Sequence, residues 1–235
     1  DLSYVDQHTE VVYAGMEVTN ERQKVQVTVI KTDAETKKEL EGAVFGLYAA
    51  EDIVNADGKI IVAKDTLVEK AVTGTDGKCV FVSDLPLGQY YVKEIEAPKG
   101  YVLNEEIFAL DASYQGDDVK VIELEATFAN YPTKLEISKT DITGEYELKG
   151  ATLSIIDKDG NVVETWKSDG ETHITSRIPV GEYILREEAA PYGYKIANEV
   201  KFTVENTKEI QKVSMKDELV NGKIIIEKTD EVTGK

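Results

Sequence analysis

Three lysines stand at the ends of apolar runs, and each is followed by Thr-Asp: Lys31, Lys139 and Lys228. In an extended strand, residues two apart share a face. Val25, Val27, Val29 and Lys31 therefore project together, as do Leu135, Ile137 and Lys139, and Ile224, Ile226 and Lys228. An ammonium on a core face costs several kcal/mol unless it is paired, neutralised or consumed by chemistry. Its return at one repeat position calls for a partner at another.

Two partners recur on inward registers. Tyr90, Val92 and Glu94 share one face, as do Tyr183, Leu185 and Glu187. Nearer the end of each unit, Ile122, Leu124, Ala126, Phe128 and Asn130 align, then Val213, Met215 and Asp217. Burial lowers the pKa of an amine, making it nucleophilic, and raises that of a carboxyl, making it a proton donor. A neutral lysine held against the side-chain carbonyl of Asn130, or against a protonated Asp217, can attack it while the glutamate polarises the carbonyl and shuttles protons. The product is an amide between side chains. Asn130 releases ammonia, Asp217 releases water, and each unit reacts once.

The elements that must hold these residues read as all-β. Short alternating runs are separated by turn signals such as Thr75-Asp76-Gly77 and Ser168-Asp169-Gly170. Only Asp52 to Ala56 and Glu105 to Ala112 are ambiguous. Glu41-Gly42-Ala43-Val44 corresponds to Lys149-Gly150-Ala151-Thr152, and Leu85-Pro86-Leu87-Gly88-Gln89-Tyr90 to Ile178-Pro179-Val180-Gly181-Glu182-Tyr183. This repeat divides the chain into a first sandwich over 23–132 and a second over 133–220. Residues 1–22 read as the terminal strand of a preceding repeat, and 221–235 as the first strand of a following one. The first unit is the longer, with loop-like insertions expected near 51–70 and 111–118.

The gross numbers narrow the function. A formal net charge of −18 over 235 residues argues against nucleic acid and anionic membranes as partners. No apolar run reaches membrane-spanning length and the chain opens without a leader, as a segment of a longer protein would. Cys79 is the single cysteine, so no internal disulfide stabilises the chain.

The order Lys-Thr-Asp, Gly-Ala, Leu-Pro-x-Gly, a glutamate box ending Ala-Pro-x-Gly-Tyr, and a closing Asn or Asp resembles the Cna protein B-type domains of Gram-positive surface adhesins and pilins. The box around Glu94 and Glu187 is similar to the pilin E-box. The second unit is close to the adhesin domain behind engineered peptide-ligating pairs, in Glu164-Thr165-Trp166, Ala189-Ala190-Pro191 and the use of Asp217. The resemblance implies tandem prealbumin-like, Ig-like β-sandwiches whose first and last strands are joined by an intramolecular isopeptide bond. It implies the triads Lys31, Glu94, Asn130 and Lys139, Glu187, Asp217, no cofactor, and a place on the cell wall outside the cell.

Other residues have plainer readings. Cys79 reads as a half-buried strand residue, and His8 and His173 lie in different units without metal-site spacing. The acidic stretch Asp157-Lys158-Asp159-Gly160 lacks the ligand order of a calcium loop and reads as a hairpin turn. Trp166 could stack on sugar, but a core or strand role is the default. Asn130-Tyr131-Pro132-Thr133-Lys134 is similar to the lysine motif by which sortases join pilins, with one extra residue, and reads as the inter-unit linker. Asn20 and Lys228 belong to neighbouring triads and should be chemically idle. A monomeric stalk whose partners are its neighbouring repeats is the principal expectation. A module binding host matrix protein or glycan, and an accessory domain of a secreted enzyme, are the alternatives.

Overall fold

The computed structural model describes residues 23–226, 228, 231 and 232. The expectations for residues 1–22, including Asn20 and His8, lie outside them. Residues 221–226 and Lys228 are exposed and outside any ladder, so the run Ile224, Ile226, Lys228 has no facing sheet among the described residues.

All regular structure described is β. The first unit runs β1 (Lys24–Asp33), β2 (Val44–Ala49), β3 (Ile53–Val54), β4 (Ile60–Val62), β5 (Leu67–Val72), β6 (Lys78–Phe81), β7 (Gly88–Glu96), β8 (Ile107–Ala112) and β9 (Val121–Asn130). The second runs β10 (Lys134–Asp141), β11 (Lys149–Asp157), β12 (Val162–Asp169), β13 (His173–Ser176), β14 (Gly181–Ala189), β15 (Val200–Val204) and β16 (Ile210–Asp217). Sheet β6-β1-β9 goes with sheet β5-β2-β7-β8 in the first unit, and β13-β10-β16 with β12-β11-β14-β15 in the second. The small β3-β4 sheet is the addition.

The insertion expected as a loop over 51–70 is therefore largely a hairpin, β3-β4, followed by the start of β5. Its buried anchor is Ile53, which packs into the main core. Both ambiguous stretches prove extended: β3 lies in Asp52 to Ala56, and β8 in Glu105 to Ala112.

Alternation decides the inward faces. Val25, Val27, Val29 and Lys31 are all buried along β1, as are Leu135, Ile137 and Lys139 along β10. These two opening strands pair parallel with the closing strands β9 and β16, placing Lys31 opposite Phe128 and Lys139 opposite Met215. The acceptors lie two residues further, Asn130 opposite Asp33 and Asp217 opposite Asp141. Lysine and acceptor thus share a face on adjacent strands at the same diagonal offset in both units.

Two repeated motifs have structural explanations. The Tyr90 and Tyr183 hydroxyls donate at 2.7 Å to the carbonyls of Pro86 and Pro179, closing the Pro-x-Gly-x-Tyr corner back on itself. The fully buried Ala43 and Ala151 sit where any larger side chain would strike the core, and their N–H groups donate to Thr73 Oγ1 and Ser168 Oγ at 3.0 Å.

The two cores are separate clusters, one around Phe45, Leu47 and Val92, the other around Leu153, Ile155 and Leu185. Leu153→Ala should accordingly cost the second unit about 2–5 kcal/mol through lost burial and the cavity left behind. Trp166, the single tryptophan, reports that unit by fluorescence while circular dichroism reports both. In urea the fluorescence transition should move to lower concentration and the remaining dichroism transition should stay. Equal movement of both would show that the cores unfold as one.

Candidate functional site

In the first unit the site lies between the two sheets. Lys31 and Asn130 come from β1 and β9 of one sheet, and Glu94 reaches across from β7 of the other. All three are buried, Lys31 with no exposed surface. Lys31 Nζ donates to Asn130 Oδ1 and lies 3.3 Å from Glu94 Oε1. Asn130 Nδ2 donates to both Glu94 oxygens, at 2.9 and 2.8 Å. The Phe45 and Phe128 rings, 4.9 Å apart, stand 5.8 and 5.9 Å from Nζ.

This apolar setting decides the amine's state. Burial pushes Lys31 down to about 8, against the opposing pull of Glu94 and, more weakly, Glu106. With that value about one amine in ten is neutral at pH 7, against fewer than about one in a thousand for an ordinary lysine. Burial thus makes Lys31 a far more available amine than an ordinary lysine.

The second unit repeats the arrangement with different atoms. Lys139 Nζ donates to Asp217 Oδ1 and lies 2.9 Å from Glu187 Oε1. Leu153, opposite Glu187 in the ladder, and Met215, opposite Lys139, take the places of Phe45 and Phe128. Burial raises the pKa of Asp217; the Lys139 bond opposes this, and Glu187, within hydrogen-bonding reach, adds to it. Asp217 Oδ2 is a buried carboxyl oxygen without a hydrogen bond, and Glu187 Oε1 has only its ion pair with Lys139. Protonation of Asp217, the direction that burial favours, would let its hydroxyl donate to the facing Glu187 carboxylate. Such a hydroxyl would correspond to the Asn130 amide group that donates to Glu94 in the first unit.

All six residues read from the sequence come together, three in each unit. What the sequence reading missed is the hold on the glutamates. The backbone N–H of Asn104 donates at 2.7 Å to Glu94 Oε2, and that of Ala197 at 2.7 Å to Glu187 Oε2. Each donor lies ten residues past its glutamate, beyond the Ala-Pro-x-Gly-Tyr turn. The box therefore serves to return a backbone donor to the carboxyl that precedes it. Equal spacing was the available signal; a main-chain donor leaves no residue type to recognise.

The remaining candidates are occupied otherwise. Cys79 is buried on β6, and burial pushes its thiol up to about 11, which suits packing rather than nucleophilic attack. His173 Nε2 lies 2.8 Å from Glu164 and its ring stacks on Trp166 at 4.2 Å, so a ring already covers that indole. Asp157 accepts from the N–H groups of Asp159 and Asn161, closing a hairpin turn. Among the described residues no cluster of histidine, cysteine or carboxylate has the makings of a metal site.

Paired sandwiches with parallel first and last strands, bridged by a buried polar triad, define the class of β-domain present. The chain matches the SpaA prealbumin-like fold domain over residues 25–125 and 133–219 and belongs to that family. It is 30% identical over 95 residues to the trypsin-resistant surface T6 protein of Streptococcus pyogenes serotype M6, covering 40% of this chain and 15% of that protein. Among solved structures it is similar to the Bacillus anthracis TIE protein, with 28% identity, TM-score 0.47, and 84% of this chain and 34% of that one covered. It is also similar to a C-terminal fragment of the pilus adhesin SpaC from Lactobacillus rhamnosus GG, with 14% identity, TM-score 0.48, and 86% and 100% covered. The chain thus spans only a small part of the curated relative and about a third of the Bacillus protein.

The lowered Lys31 value has a consequence for stability. Between about 8 and 10.5 the unfolded chain binds a proton that the folded unit does not, so an unreacted first unit gains stability as pH rises through that window. Asn130→Ala keeps the lysine and removes its acceptor. The urea midpoint of its first unit should rise from pH 8 to pH 10 relative to the double variant Lys31→Met, Asn130→Ala. A flat or falling difference would show that the buried amine holds its proton as an ordinary lysine does.

Proposed function

We propose that this chain is a load-bearing segment of a Gram-positive surface pilin or adhesin, held outside the cell at the wall, in which each sandwich closes itself with one isopeptide bond. The observation that carries the reading is the buried lysine set diagonally against an amide or carboxyl on the neighbouring parallel strand, with a glutamate fixed over both. The family and the surface protein among its relatives support the location and the structural role.

The reaction balances in both units. In the first, a proton passes from Lys31 to Glu94, and the neutral amine attacks Asn130 Cγ. Glu94, already bonded to Nδ2, passes that proton to the departing nitrogen and takes the second proton from the attacking nitrogen, so an N–C bond forms, a C–N bond breaks, ammonia leaves and Glu94 ends protonated. In the second, Glu187 takes one proton from Lys139, and the neutral amine attacks Cγ of the protonated Asp217. Glu187 hands a proton to the departing hydroxyl, which leaves as water, while it takes the second proton from the new amide nitrogen. Aromatic and aliphatic walls exclude bulk water, which favours condensation over hydrolysis. Each site turns over once, so the chain is a substrate of its own chemistry and not an enzyme.

The mechanical consequence follows from the parallel pairing. Force entering at Lys24 runs along β1 to Lys31, crosses the bond to Asn130 and leaves into the linker, bypassing residues 32–129 altogether. The same path bypasses residues 140–216. Closing loops of 99 and 78 residues also restricts the unfolded chain, by about 4–5 kcal/mol in the entropic account used for disulfides. That approaches the whole stability of an ordinary domain, without cysteine chemistry.

A second reading has one observation behind it. The β3-β4 hairpin leaves Val54, Ile60 and Ile61 about half exposed, an apolar surface suited to a protein or glycan ligand. Binding to a matrix-protein or glycan array that is lost on Ile60→Ser, Ile61→Ser would favour an adhesive role.

The intact denatured protein should weigh less than its sequence by one ammonia and one water. Glu94→Ala should restore the ammonia alone and Glu187→Ala the water alone. Glu96→Ala and Glu188→Ala, altering exposed positions beside them, should change neither loss. An unshifted mass for the parent protein would remove the covalent reading.

A further inference from the structure

The junction between the two units is built around one turn. Gly100, in the left-handed region at φ +81°, is buried so closely that a Cβ there would meet Arg177 O at 2.3 Å. Arg177 belongs to the second unit and is itself left-handed at φ +64°, a conformation costly for a residue with a side chain. Its N–H donates to Thr133 O at 3.0 Å. Its guanidinium donates to the Tyr101 hydroxyl at 3.0 Å and to Asp33 Oδ2 at 3.2 Å. Tyr101 donates to that same oxygen at 2.9 Å, and Asp33, buried, stays well below the ordinary carboxylate range.

The second unit carries the same socket, uncovered among the described residues. Thr133 N–H bonds Gly100 O at 3.0 Å, and Val220 N–H bonds Gly193 O at 2.9 Å. Val102 N–H bonds Tyr131 O at 2.9 Å, and Lys195 N–H bonds Glu218 O at 2.9 Å. Tyr101 bridges to Pro132, and Tyr194 to Leu219. The backbone is therefore shaped identically, but its cover differs. Gly193, at φ +87°, has no atom within 4 Å of a built Cβ, and Leu219 and Val220 are 60% and 58% exposed where Pro132 and Thr133 are buried. Asp141, two residues past Lys139 as Asp33 is past Lys31, is half-buried.

We infer that the face formed by Gly193, Tyr194, Leu219, Val220 and Asp141 docks another sandwich of this fold, which enters with the loop before its own Pro-x-Gly corner and sets an arginine against Asp141. The arginine follows from charge: Asp141 meets an incoming loop as Asp33 meets Arg177. The first unit has Asp84 at the Arg177 position. A second copy of this chain approaching through its first unit would bring like charge to Asp141, so the face selects which unit follows which. The inference stands whether or not the isopeptide bonds form.

The test is the whole chain with a second copy of residues 134–220 joined directly after Val220, spin-labelled in pairs across each junction. The new junction should give a distance distribution as narrow as that of the existing one. Gly193→Ala should broaden the new junction and leave the old one unchanged. Arg177→Asp in the appended copy alone should do the same, while its unfolding transition shows that the copy is folded. In the original chain, Gly100→Ala should broaden the existing junction, whereas Gly193→Ala should not. A new junction that is broad from the outset, with the copy folded, would overturn the proposal. So would indifference to Gly193→Ala, or no broadening on Gly100→Ala.

Discussion

The structure depends on the burial of a lysine ammonium between two parallel strands that open and close each unit. An isolated charge there would be several kcal/mol out of balance. The remaining parts of the site act on that imbalance. The facing sheet delivers a glutamate, a backbone N–H holds its second oxygen, and the closing strand brings an amide or carboxyl into contact with Nζ. A buried salt bridge alone is a weak source of stability. A buried amine set against an electrophilic carbon can instead escape the penalty by ceasing to be a charge.

The two units reach this end by different routes. In the first, burial beside two phenyl rings lowers the amine, which lies against a neutral amide. In the second, Leu153 and Met215 line the site, and the acceptor is a carboxyl whose pKa is raised by burial and by Glu187. With Asp217 protonated, charge neutrality of the three groups taken together would be common to both. Replacing Asn by Asp would thus require only one further proton, and one sandwich would accommodate either chemistry. In both, lysine and acceptor lie where a load path would otherwise enter the core, so the proposed condensation would alter the mechanics of a whole domain.

Much of this was legible because period-two alternation is strict in strands with one dry face. It identified Lys31 and Lys139 as inward and separated Glu187 from Glu188, whereas Glu96, two residues past Glu94, was set apart by its place outside the motif and is turned outward by a register shift in the β2–β7 ladder. The closing residues Asn130 and Asp217 followed from the same count. The insertion hairpin was not legible: β3 and β4 are two and three residues long, too short for alternation to register. Nor were Asn104 and Ala197, which act through main-chain N–H groups that any residue carries. Arg177 was hidden for another reason. Its left-handed backbone and its contact with Gly100 belong to the junction between repeats, and a repeat-by-repeat comparison aligns it with Asp84 and discards the difference.

The central claim is that Nζ and Cγ are bonded in both units, and a crystal structure at atomic resolution measures that separation directly. The account predicts continuous density from Lys31 to Asn130 and from Lys139 to Asp217, each a planar amide with an N–C distance of about 1.33 Å. Separate side chains in hydrogen-bonding contact, with donor and acceptor about 2.7–3.2 Å apart and the Asn130 amide intact, would contradict it.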